Sequence, residues 1–90
     1  MDWDKLKIFH TVAEAGSFTK AATVLNLSQS AISRQIQSLE NDLKIHLFER
    51  HARGLVLTNN GEYLFKTAHE VISKLKDVEA TLGDEKDKLS

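Results

Sequence analysis

The sequence predicts a mainly α fold: a winged helix-turn-helix of three helices and a two-stranded wing, followed by a long dimerising linker helix. Three observations carry this prediction. Residues 21–43, AATVLNLSQSAISRQIQSLENDL, read as two helices joined by a tight Asn-Leu-Ser turn. The runs HLFER and LVLT that follow flank a basic turn, and from residue 59 onward apolar side chains recur at heptad spacing.

Asp2 is placed to cap a first helix running to about Ala15, with Leu6, Phe9, Val12 and Ala13 on one face, Trp3 and Ile8 off that stripe, and Gly16 as its terminator. Ser17 caps a second, short helix from Phe18 to about Leu25, in which Ala21 and Ala22 allow a crossing helix to come close. Asn26 tolerates the left-handed conformation that ends a helix, Leu27 is apolar and is expected to plug the core from the turn, and Ser28 caps the third helix. A three-residue connection is what a helix-turn-helix requires.

The third helix divides into two faces. Ile32, Ile36, Leu39 and Leu43 are spaced four, three and four, the period of a helix buried along one stripe. The other face presents Gln29, Ser30, Ser33, Arg34, Gln37 and Asn41, mostly side chains able to hydrogen-bond base edges or phosphates, and no carboxylate appears in this helix before Glu40. A helix that enters a major groove by its N-terminus needs its anions at the far end, where they stay clear of phosphate, and the positive end of its dipole helps as well. A polar face that only meets water is the plain alternative for such a helix taken alone.

After Leu43, the two strand-like runs around His51-Ala-Arg-Gly54 read as a β-hairpin wing. Phe48, Leu55 and Leu57 are expected to cover the helices, while a tip holding Arg50, His51, Arg53 and Gly54 suits a backbone or minor-groove contact. Thr58 caps the last helix, where Leu64, Ala68, Val71, Leu75, Val78 and Leu82 form a heptad seam. From Asn59 to Leu82 that helix measures roughly 35 Å at 1.5 Å per residue, longer than the preceding globule can cover. Its second half needs a partner, and a second copy of the same helix is the economical one, with Phe65 and Ile72 packing on the helix's own domain. Residues 1–58 are thus expected to form the winged domain, 59–83 the dimerisation helix, and 84–90 a charged tail without structure.

Charge is distributed unevenly. The net formal charge is −1, yet residues 17–58 carry Lys20, Arg34, Lys44, Arg50 and Arg53 against Glu40, Asp42 and Glu49, an excess of +2 that includes every arginine in the chain. This describes a basic face rather than a basic protein, and few phosphate contacts per subunit imply weak binding by a monomer. Cysteine is absent, which excludes disulfides and thiolate zinc sites and is compatible with a reducing cytoplasm. No run approaches the roughly 18 apolar residues of a membrane span, and the charged N-terminus MDWDKLK does not resemble a signal peptide, so a soluble, cytoplasmic protein without a membrane partner is expected. His10, His46, His51 and His69 show no zinc-like spacing, and His10 and His69 are expected at the surface or an interface. With no phosphate-binding glycine loop, no nucleophile motif and no carboxylate pair against an apolar cleft, no metal, cofactor or enzyme activity is expected of this chain.

FHTVAEAGSFTKAA, LNLSQSAISRQIQSLENDL and LFERHARGLVLTNNG occur in this order without an insertion, and over about Leu6 to Ala68 the sequence resembles the N-terminal DNA-binding domain of LysR-type transcriptional regulators. The resemblance implies a linker helix that pairs two subunits, a promoter site of imperfect two-fold symmetry in double-stranded DNA, and a higher oligomer in the full-length protein. It also implies a larger C-terminal domain that binds a small-molecule effector; that domain is absent here, so a truncated regulator is expected. Carried over by residue, base reading falls on Gln29, Ser30, Ser33 and Arg34, and wing contacts on His51, Arg53 and Gly54. Backbone contacts fall on Ser17, Thr19, Lys20, Ser28, Gln37 and Arg50, with Arg34 able to grip phosphate as well; Arg50 has an alternative use in pairing with Glu49 or an acid of the first helix.

Three positions depart from the family pattern. Ser30 stands where proline is usual, Lys44 where a glycine commonly ends the recognition helix, and His46 where a proline often precedes the wing. Lysine disfavours the left-handed conformation by roughly 1 kcal/mol or more, so the helix is expected either to end differently or to carry local strain. Two other functions compete with sequence-specific DNA binding: a winged-helix scaffold for protein interaction, dimerised by its coiled coil, and a nonspecific architectural binder. All three arginines lie between residues 34 and 53, a clustering a scaffold does not need, and an architectural binder calls for many more cations.

Overall fold

The computed structural model describes residues 1–52 and 54–89, and the side chains of residues 1–52 and 54–83. Four helices and one hairpin follow one another as α1 (Trp3–Ala15), α2 (Phe18–Leu25), α3 (Gln29–Leu43), β1 (Phe48–His51), β2 (Gly54–Leu57) and α4 (Asn59–Leu89).

The caps set the element boundaries. Asp2 accepts hydrogen bonds from the backbone N–H groups of Asp4 and Lys5 at 2.8 and 3.3 Å, Ser17 from Lys20 at 3.1 Å, and Ser28 from Ala31 at 3.1 Å. Each supplies an acceptor to a first-turn donor that the helix itself leaves unpaired. Gly16, Asn26 and Lys44 end α1, α2 and α3 in the left-handed region, at φ 76°, 55° and 57°. Lys44 therefore takes the strained alternative of the two open to it. Thr58 heads α4: its hydroxyl accepts from the Gly61 N–H at 3.0 Å and donates to the His46 carbonyl at 2.6 Å.

The core forms where α1, α2 and α3 cross and the hairpin closes beneath them. Phe9, Val12, Ala21, Ile32, Leu39 and Leu47 are fully buried, with Ile36 nearly so. Leu6, Ile8, Phe18, Leu43, Phe48, Leu55, Leu57, Leu64 and Phe65 pack around them. The apolar stripe of α3 and the wing residues Phe48, Leu55 and Leu57 are where the sequence places them. The hairpin pairs Phe48 with Leu57, Glu49 with Val56, Arg50 with Leu55 and His51 with Gly54.

Three expectations need correction. Leu27 does not plug the core but is 42% exposed: its N–H closes the end of α2 on the Ala22 carbonyl at 3.1 Å, a turn that directs the side chain outward. His10 is not a surface residue; it is buried in the α1–α4 contact, where Phe65 stacks on its ring at 5.2 Å. Residues 84–89 are helical, because α4 continues to Leu89. Nothing in that stretch of sequence breaks a helix as proline does. The molecule is accordingly elongated, with extents of 53 × 24 × 22 Å.

Candidate nucleic-acid interface

The polar side of α3 lies open. Gln29, Ser30, Arg34 and Gln37 are exposed and Ser33 is half-buried, while Ile32, Ile36 and Leu39 are buried. Ser28 fixes the first turn, and its hydroxyl also stands 3.4 Å from that of Ser30. Serine at position 30 thus extends the polar surface of the cap, where a proline would present only its ring. Arg34 reaches back along the helix, its Nε donating to the Ser30 carbonyl at 3.4 Å, so the guanidinium lies toward the N-terminal end of α3. That end already carries the positive pole of the helix dipole.

The start of α2, the start of α3 and the wing enclose a cleft of about 460 Å³. Ser17 and Thr19 line it from α2, Gln29, Ser30 and Ser33 from α3, and Arg50, His51 and Gly54 from the wing. A smaller recess of about 180 Å³ beside it adds Gln37 to Ser33 and Arg50. The chain thus gathers onto one concave side residues that the sequence separates by up to about two fifths of its length. Lys20, Ser28 and Arg34 do not line the cleft; they are exposed elsewhere on α2 and α3. Arg53, expected at the tip of the wing, lies outside the described residues.

Arg50 is held in a way the sequence left open. Its guanidinium carbon sits 5.8 Å from the centre of the Phe18 ring, a cation–π placement, while Glu49 pairs with His51 at 3.4 Å. Among the described residues Arg50 makes no ion pair, either with Glu49 or with an acid of α1. The register explains why: alternate residues of a strand face opposite sides of the hairpin, so Glu49 and His51 share one side and Arg50 takes the other.

Of the expected seam, Leu64 and Ala68 are taken up by the chain's own domain, Ala68 at 1% exposure. Val71, Leu75, Val78 and Leu82 stay open, between 41% and 57% exposed. The stripe therefore divides at about Ile72, which is half-buried. Linear spacing also concealed a cluster: His10 and Glu14 on α1 and His69 on α4 lie together, with His10 Nε2 3.0 Å from His69 Nδ1. The two histidines are 59 residues apart, so no motif search along the chain pairs them.

A helix-turn-helix with a polar, concave face completed by a hairpin wing defines a DNA-binding domain of the winged class. Residues 3–62 match the family described as "Bacterial regulatory helix-turn-helix protein, lysR family", and the chain belongs to that family. It is 39% identical over 84 residues to the transcriptional regulator GltR of Bacillus subtilis, covering 93% of this chain and 28% of GltR. It is 47% identical over 79 residues to the Bacillus subtilis regulator YofA, covering 88% of this chain and 28% of YofA. The chain thus spans little more than a quarter of the length of these relatives. Among solved structures, a BenM DBD/benA site 1 DNA complex superposes with a TM-score of 0.83 at 36% identity, covering 93% of this chain and 98% of that one. A CbnR DBD–DNA complex gives 0.75 at 39% identity, covering 94% of this chain and 93% of that one. No helix among the described residues is long and apolar enough to cross a membrane.

Proposed function

We propose that this chain binds a dyad-symmetric promoter site in double-stranded DNA as a homodimer, in the bacterial cytoplasm, as the operator-reading part of a transcriptional regulator. The observation that carries the reading is the convergence of Ser17, Thr19, Gln29, Ser30, Ser33, Arg50, His51 and Gly54 on one concave side at the N-terminus of α3. In this reading α3 enters the major groove end-on. Gln29 pairs with an adenine edge, Ser30 and Ser33 contact neighbouring bases, and Arg34 reads guanine or grips phosphate. Ser17, Thr19, Lys20, Ser28, Gln37 and Arg50 set the register on the backbone, and the wing, with His51, Arg53 and Gly54, follows the strand.

The open stripe Val71, Leu75, Val78 and Leu82 pairs two copies, which brings two recognition helices to grooves about 34 to 36 Å apart or a multiple of that distance. In the full-length regulator a C-terminal domain binds a small-molecule effector and supports a higher oligomer. DNA selected from a random pool by the 90-residue chain returns the half-site and its spacing. Gln29→Ala then loses about 1 to 3 kcal/mol of discrimination at one base position, and Leu75→Glu loses the preference for paired half-sites together with dimerisation in sedimentation. Equal binding of all sequences by the parent and by Gln29→Ala would overturn base reading. Negligible DNA binding even at low salt would leave the domain as a protein-interaction scaffold.

A further inference from the structure

Where α4 leaves the globule, α1 and α4 meet through a polar cluster that DNA recognition does not use. His10 is buried; its Nε2 faces His69 Nδ1 at 3.0 Å, and its Nδ1 lies 3.4 Å from a carboxylate oxygen of Glu14. Phe65 stacks on His10 at 5.2 Å and flanks His69 at 6.0 Å, which leaves the two imidazoles with restricted freedom. One ligand atom from each of His10, Glu14 and His69 lies within 4.8 Å of the other two.

We propose that His10, Glu14 and His69 form a site for a divalent transition-metal ion, such as Zn²⁺, that clamps α1 to α4. Two imidazoles and one carboxylate are a donor set suited to zinc and its neighbours, and with three protein ligands the remaining position goes to water. An ion held at about 2.0 to 2.2 Å from each donor needs the donors about 3.3 Å apart in tetrahedral geometry. The two histidine nitrogens already stand near that separation, and the exposed Glu14 carboxylate is free to close the rest. Burial favours the neutral, metal-binding form of His10 and holds its pKa below the ordinary value. An open cleft of about 530 Å³ alongside, lined in part by Thr11, Ile72 and Lys76, admits the ion and its water. Lys76 is the opposing charge: its ammonium disfavours any cation at His10, protonated or metallic, and weakens the site. The α1–α4 contact is the joint between the reading head and the linker helix, so metal occupancy stiffens that joint.

Zinc titrated alone into the chelator-treated 90-residue chain, in competition with a chromophoric chelator, is expected to show one tight equivalent and a raised melting temperature. His69→Gln abolishes that equivalent, Glu14→Gln weakens it about tenfold or more, Lys76→Gln strengthens it, and His46→Gln leaves it unchanged. His69 and Glu14 are exposed, so their variants fold, which circular dichroism verifies. No tight equivalent in the parent, or one that survives His69→Gln, overturns the site.

Discussion

The carboxylate of Glu40 accepts a hydrogen bond from the Leu47 N–H at 2.7 Å, tying the end of the recognition helix to the first residue before the wing. The Glu40 carbonyl also takes the N–H groups of Lys44 and Ile45, so one residue organises the whole connection. Leu47 is fully buried, and its N–H has no water to turn to once the carboxylate is gone. Glu40→Ala is expected to lose about 1 to 3 kcal/mol of stability in urea denaturation. Glu40→Gln, which keeps an acceptor, retains most of it. Equal midpoints for the parent and Glu40→Ala would remove this role.

Lys44 holds φ at 57° with a side chain, where the chain could have used glycine. Lys44→Gly relieves roughly 1 kcal/mol of backbone strain and should raise the urea midpoint without altering the slope of the transition.

Gly61 sits in the first turn of α4 against the backbone of Leu47. A Cβ there would collide with the Leu47 carbonyl oxygen and press on Leu57 Cδ2 at 3.0 Å. Since the obstacle is backbone, it cannot swing away. Gly61→Ala is expected to cost about 1 to 3 kcal/mol, whereas Gly83→Ala, with open space around it, should stabilise the helix slightly. Thermal unfolding of the two variants side by side gives the comparison.

His10 titrates below its ordinary 6.5, chiefly through burial; Glu14 pulls the value up, and His69 and Lys76 push it down. The unfolded chain accordingly binds a proton at His10 that the folded chain resists, so stability rises with pH across this window. The contribution is complete above 6.5, is lost as pH falls through the lowered folded value, and levels off below both. With a chelator present, the urea midpoint should decline as pH falls below 6.5. His10→Gln should flatten that decline, and an unchanged slope in that variant would assign it to other groups.

Local chemistry was legible in the sequence. Asp2, Ser17, Ser28 and Thr58 announce helix starts, and Gly16 and Asn26 announce ends, because each acts on backbone within a few residues. The division of α3 into Ile32, Ile36 and Leu39 against Ser30, Arg34 and Gln37 follows from helical period alone. The failures are of another kind. Leu27 reads as core by type, but its direction depends on how the turn closes on Ala22. His10 and His69 meet only because α4 folds back across α1, a contact that no spacing along the chain encodes. Leu64 and Ala68 belong to a heptad by sequence, yet geometry gives them to the domain, since only the first turns of α4 lie on it.

The part of α4 that runs past Ala68 is roughly 30 Å long at 1.5 Å per residue. It is the arm of a caliper whose pivot is the packing of α1 on α4. A tilt of about 5° at the pivot displaces the far tip by about 2.5 Å over that length. In a pair of such arms, a change too small to disturb any single contact resets the gap between the jaws. Substitutions at the pivot are therefore expected to change which operator spacing is accepted while the letters read at each half stay the same.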